Sequence, residues 1–189
     1  MKKLILASGS PRRREFFERM GWNFEVLTPG TEERAREHEA PSDYTRRNAE
    51  EKAAAALAMV PEGEDAVVVA ADTIVVQDNR ILEKPKDEAD AAQMLRELSG
   101  RTHQVMSGLC VMDRRRMKSQ TVVTEVQFKE LGDREIQAYI RTGEPMDKAG
   151  AYGIQGYAAY MVRAIRGSYT NVVGLPLTET VETLHEFGF

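Results

Sequence analysis

The sequence predicts an α/β fold with a mixed central sheet flanked by helices, carried on a single domain over 1–189. Two observations carry that expectation. Strand-like and helix-like runs alternate along the chain, and the runs at 74–84 and 102–131 read as antiparallel hairpins, which excludes an all-parallel sheet. The chain has 189 residues, 42% hydrophobic and 30% charged, which is enough apolar material for a real core.

The first element is a short apolar strand over 3–7, followed by a turn and a helix over 11–20 that starts on Pro11. Gly21 ends that helix, and 22-WNFEVL-27 alternates as a strand does. A polar loop over 28–41, rich in Glu and Arg, reads as mobile or site-forming. Ser42 is the expected cap of an alanine-dense helix over 43–59. The run 66-AVVVAA-71 is apolar throughout, the pattern of a central strand buried on both faces, and 71-ADT-73 is read as its end. The hairpin over 74–84 turns at Asp78-Asn79. Asp87 caps a helix over 88–98, closed by Ser99-Gly100.

Two long strands, 102–113 and 117–131, flank an exposed charged turn at Arg114, Arg115 and Arg116. A helix over 133–141, a glycine-rich stretch over 143–156, a strand over 160–165 and a helix over 178–186 complete the chain. No repeat, linker or low-complexity tract interrupts it.

Composition excludes several classes. A net charge of −4 is wrong for a general nucleic-acid or anionic-membrane binder, so neither is expected as a partner. No run of about 18 apolar residues offers a membrane span, and the four apolar residues after Lys3 are too few for a secretory signal. The single cysteine, Cys110, excludes internal disulfides and cysteine metal sites, and a cytoplasmic location is expected. The sequences GxxxxGK[ST] and GxSxG are absent, which removes the P-loop and serine-hydrolase readings. The three histidines have no metal-ligand spacing; His103 reads as a strand residue and His38 and His185 as surface.

Several stretches can carry chemistry. In 7-ASGSPRRRE-15, unpaired N–H groups at a helix start, the hydroxyls of Ser8 and Ser10, and Arg12 and Arg13 suit a phosphate. The alternative is an ordinary capping turn with solvated arginines. Asp72 can hold a divalent cation or take a proton from water, or it can be a turn-forming residue bonded to nearby backbone. Lys52 reads by itself as a solvated helix lysine, while Lys84 is fixed in an extended segment before Pro85; either can meet a phosphate. Glu32 and Glu33 belong to a solvated loop or join Asp72 around a metal. In 143-GEPMDKAGAYGIQG-156, glycines can let a loop wrap a ligand with Gln155 reading a base edge, or can serve packing alone.

With 8-SGSPRR-13, 44-YTRRNAEEKA-53, 71-ADT-73, 82-LEKP-85, 98-LSGRTHQV-105, 147-DKAGAYGIQG-156 and 167-GSYTNVVGLPL-177 in this order, the chain resembles the Maf family of nucleoside triphosphate pyrophosphatases over nearly its whole length. The resemblance implies a mixed α/β fold similar to that of the inosine triphosphate pyrophosphatases (Maf/Ham1-like), with two lobes and a cleft, in a homodimer. It implies cleavage of a nucleoside triphosphate to the monophosphate and pyrophosphate with a divalent cation (Mg, Mn or Co). The family's proton-accepting carboxylate falls on Asp72, its phosphate-binding residues on Ser8, Arg13, Lys52 and Lys84, and its loop glutamate on Glu33, with Asp72 and Glu33 as the metal ligands.

The specificity positions fall on Arg12, Thr73 and Gln155, which resemble the dTTP/UTP branch rather than the branch acting on 7-methyl-GTP. Members of the family are associated with arrest of septum formation. The resemblance therefore also implies a cell-division partner, and it keeps open the alternative of a non-catalytic nucleotide sensor.

Overall fold

The computed structural model describes residues 2–189. The chain divides into two units: Met1–Asp72, Ser107–Val122 and Gly174–Phe189 in one, Thr73–Met106 and Val123–Val173 in the other. Seven strands form one mixed sheet: β1 (Lys3–Ala7), β2 (Phe24–Leu27), β3 (Ala66–Gln77), β4 (Arg80–Leu82), β5 (Thr102–Met112), β6 (Met117–Phe128) and β7 (Val162–Arg166). Their order is β2-β1-β3-β5-β6-β7, with β4 paired to β3. β1 runs parallel to β2 and to β3, whereas β4 and β7 lie antiparallel to their neighbours, so the sheet is mixed as expected.

In the first unit, α1 (Pro11–Arg19) and α2 (Pro41–Ala58) accompany β1 and the start of β3. Ala49, Ala53 and Ala56 of α2 are wholly buried with Ile5, Ala66, Val68, Ala70 and Cys110. Alanines at that spacing leave no bulk between helix and sheet, so the helix lies close to the strands. Burial pushes the Cys110 thiol up to about 12, which leaves it an inert apolar group at neutral pH. The helix starts at Pro41 after Ala40 in an extended conformation, so Ser42 is not its cap. Proline lacks an N–H and its φ already suits the first turn, which moves the start ahead of the hydroxyl residue.

The main correction concerns β3. It does not end at 71–73 but runs twelve residues, so Asp72 lies inside a strand. The reason is β4, whose antiparallel register Val75↔Leu82, Val76↔Ile81 and Gln77↔Arg80 extends the ladder to the hairpin turn. Asp78 and Asn79 have φ of 50° and 61°, as the predicted two-residue turn requires. At the tip between β5 and β6, the Asp113 carboxylate accepts from the backbone N–H of Arg115 (2.8 Å) and Arg116 (3.0 Å), and all three arginines are exposed.

The second unit buries Leu95 and Leu98 of α3 (Glu88–Leu98) and Ile136, Tyr139 and Ile140 of α4 (Asp133–Ile140) with Val105, Phe128, Tyr152 and Met161. Asp87 caps α3 as expected, accepting from Asp90 N–H at 2.8 Å. Such a cap contributes about 1 kcal/mol. His103 is a buried strand residue with Nε2 2.7 Å from the Tyr152 hydroxyl, and burial lowers its pKa to about 4, so the ring is neutral. α5 (Tyr169–Val173) has no sequence counterpart, since five residues are too few to show a period, and α6 (Leu177–Glu186) ends the chain.

Candidate active site

The end of β1 and the start of α1 are tied together by one arginine. Ser8 is buried, and its Oγ accepts from Ser10 N–H (3.2 Å) and from Arg13 Nη1 (3.1 Å). Arg13 Nε donates to the Gly174 carbonyl at 2.7 Å, fixing the guanidinium along the turn. Burial lowers the Arg13 pKa and Arg12 adds to that, while Asp72 and Glu33 favour its charge. Pro11 stands at the first turn of α1, and Ser10 makes no side-chain cap. Arg12 is half-buried on α1; Arg14 is exposed and paired with Glu18 at 2.8 Å.

One face of α2 carries the partners of Asp72. Thr45, Asn48 and Lys52 are spaced by three and four residues and so project from the same side of the helix. Lys52 Nζ lies 2.8 Å from Asp72 Oδ1 and 2.6 Å from Glu33 Oε1, with the Asp72 side chain 8% exposed and that of Glu33 47%. Asn48 Nδ2 donates to Asp72 Oδ2 at 3.1 Å. Thr45 Oγ1 donates to the Asp72 carbonyl at 2.8 Å and accepts from Gly108 N–H at 3.1 Å. The two carboxylate oxygens are thus distinguished: Oδ1 faces a cation and Oδ2 an amide.

Two carboxylates that meet one ammonium form an ion-pair cluster, and one or two carboxylates with phosphate and water are also what a magnesium-like cation takes. Asp72 and Glu33 fit that chemistry, with the Lys52 ammonium now between them. Among the described residues no group of three or more His, Cys, Asp or Glu side chains is gathered for a metal.

Thr73, Lys84 and Gln155 belong to the second unit. Thr73 is half-buried on β3, and Lys84 is exposed just beyond β4, where Gly150 N–H bonds the Glu83 carbonyl at 3.1 Å. Gln155 is exposed in a stretch of short 3-10 turns, 144–147, 149–151 and 157–161. Gly153 and Gly156 lie against side chains. A Cβ on Gly156 would stand 2.3 Å from Glu144 Oε1, and one on Gly153 would stand 2.7 Å from Lys148 Cε. At these two positions the space beside the backbone is occupied by the Glu144 and Lys148 side chains.

Of the residues singled out in the sequence, Ser8 and Arg13 meet directly, and so do Glu33, Lys52 and Asp72. Thr45, Asn48, Gly108 and Glu144 escaped the sequence reading. The shared helix face of 45, 48 and 52 was a usable signal for the first two. Glu32 instead pairs with Arg34 (2.7 Å), and Glu39 is held by Arg47 at 2.6 Å, so the polar loop is pinned to α2.

A family model described as Maf-like protein matches residues 3–187 of the chain. The dTTP/UTP pyrophosphatase of Vibrio cholerae serotype O1 is 52% identical over 187 residues, covering 99% of each chain. That of Salmonella typhimurium strain LT2 is 52% identical, over 99% of this chain and 94% of its own. That of Escherichia coli O157:H7 is 50% identical over the same shares.

Proposed function

Because this chain belongs to the Maf family, we propose that it hydrolyses dTTP and UTP to the monophosphate and pyrophosphate. The observation that carries the reading is the Lys52 ammonium seated between the Asp72 and Glu33 carboxylates, in the unit where Arg13 closes the first turn. A nucleotide sensor would use the cations; it has no need of a carboxylate whose two oxygens are separately oriented.

Asp72 accepts a proton from the attacking water, whose oxygen bonds to the α-phosphorus as the bond to the β-phosphate bridging oxygen breaks. Asn48 donates to Oδ2 and Lys52 to Oδ1, so donors orient both Asp72 oxygens, while Thr45 holds the Asp72 carbonyl. Asp72 and Glu33 would hold the divalent cation (Mg, Mn or Co), which would neutralise charge on the triphosphate. Ser8, Arg13, Lys52 and Lys84 bind phosphate oxygens, and the three cations stabilise the negative charge that builds on the departing pyrophosphate. Arg12, Thr73 and Gln155 select the pyrimidine.

A homodimer, a cytoplasmic location and a cell-division partner belong to the same proposal, on the family footing. A lone, buried cysteine is in keeping with a reducing compartment. No helix of the described residues is long and apolar enough to cross a membrane.

The test is pyrophosphate release from a panel of nucleoside triphosphates with Mg or Mn, for wild type and Asp72→Asn. Release from dTTP and UTP that vanishes in the variant is expected. Nucleotide binding without any release would leave a sensor.

A further inference from the structure

The stretch that carries Gln155 is held from one place. Tyr139, wholly buried on α4, donates its hydroxyl to Glu144 Oε1 at 3.0 Å and accepts from Gly153 N–H at 3.3 Å. Glu144 Oε2 accepts from Tyr157 N–H at 2.9 Å, and the Tyr157 ring stacks on Tyr139 with centroids 5.9 Å apart and planes 13° from parallel. Lys148 Nζ donates to the Glu144 carbonyl at 2.8 Å, and its stem fills the space beside Gly153. Burial, followed by the Glu144 charge, raises the Tyr139 pKa, so the phenol keeps its proton at neutral pH. One carboxylate–phenol pair therefore fixes the chain on both sides of Gln155, at Gly153 and at Tyr157.

We propose that Tyr139 and Glu144 are positioning residues for base selection, clamping the backbone on both sides of Gln155 so that its side chain reaches the base from one fixed place. The proposal rests on the base-reading role given to Gln155 above. A glutamine amide offers one acceptor and two donors, and a rotation exchanges them. Uracil and cytosine differ at the edge such an amide would read, an oxygen acceptor in one and an amino donor in the other. The clamp leaves that rotation possible but fixes the place from which the Gln155 side chain reaches the base, so a loosened turn blurs the difference between the two edges.

The experiment compares kcat/KM for UTP and CTP in wild type, Tyr139→Phe, Glu144→Gln and Gln155→Ala. Tyr139→Phe keeps the ring stack on Tyr157 and removes only the hydroxyl, so its fold is safe. Each clamp variant removes one or two hydrogen bonds, and the UTP-to-CTP ratio is expected to fall about two- to tenfold. Gln155→Ala should lower the ratio at least as far, and adding Tyr139→Phe to it should change the ratio no further. A ratio unmoved by both clamp variants but moved by Gln155→Ala overturns the clamp alone. Equal losses for the two nucleotides in the clamp variants also overturn it. A ratio unmoved by Gln155→Ala overturns the base-reading role and the clamp with it.

Discussion

The backbone of Gly108 lies directly against that of Thr45: a Cβ built on Gly108 would stand 2.1 Å from the Thr45 carbonyl oxygen and 2.7 Å from Arg46 Cα. Backbone atoms cannot swing aside as a flexible side chain can. This approach is what lets Gly108 N–H reach Thr45 Oγ1 and keeps Thr45 and Asn48 on Asp72. Gly108→Ala must push α2 off the strand. It is expected to destabilise by at least the ~1–3 kcal/mol of ordinary overpacking, read from urea unfolding, and to lower kcat. A variant with wild-type stability and kcat would show that α2 can retreat freely.

Lys52→Met tests the charge between the carboxylates. Without the ammonium, Asp72 and Glu33 face each other unneutralised, and a phosphate loses one cationic partner. The expected fall in kcat/KM for dTTP is about 10²-fold, the scale for deleting one group that stabilises developing charge. Mn titration supplies a readout apart from turnover: the freed carboxylates should bind the ion more tightly than in wild type. Weaker Mn binding in the variant would count against Asp72 and Glu33 as its ligands.

The Arg47 hydrogen bonds hold the Glu39 carboxyl well down, to about 2, against burial, which acts the other way. A folded-state value below the ordinary one means that the pair's stabilisation is complete above about pH 4.5. It is lost progressively as the pH falls from there toward 2, because the unfolded chain takes up the proton first. Glu39→Gln should lower stability at pH 7 and flatten the acid limb over that window, measured by urea midpoints at stepped pH. An acid limb identical to wild type would remove Glu39 from the acid response.

Much of the fold was readable because its signals are local. The unbroken apolar run at 66–71, the Asp78-Asn79 turn and the Asp87 cap each act within a few residues, and each holds in the structure. The errors arise where continuity or a single side-chain bond decides, and neither leaves a periodic pattern. The 66–71 strand and the first strand of the 74–84 hairpin are one continuous β3, and the polar 72–73 step between two apolar runs reads as a break. The short α5 escaped notice since its order depends on Ser168, whose Oγ accepts from Asn171 N–H at 3.2 Å, in place of a periodic face.

The sequence by itself determined the alternation of helices and strands, the mixed sheet and the ordered motifs of the family, for these rest on periodicity and residue type. Only the tertiary structure decided what surrounds Asp72. Thr45, Asn48 and Lys52 stand 20 to 27 residues from it along the chain, and Gly108 stands 63 residues from Thr45. Likewise, that Gly156 lies against Glu144 and Gly153 against Lys148 is something only packed coordinates can tell. The reason is physical: a carboxylate's orientation and a glycine's necessity are set by the atoms that fill the space around them, and chain folding alone brings those atoms there.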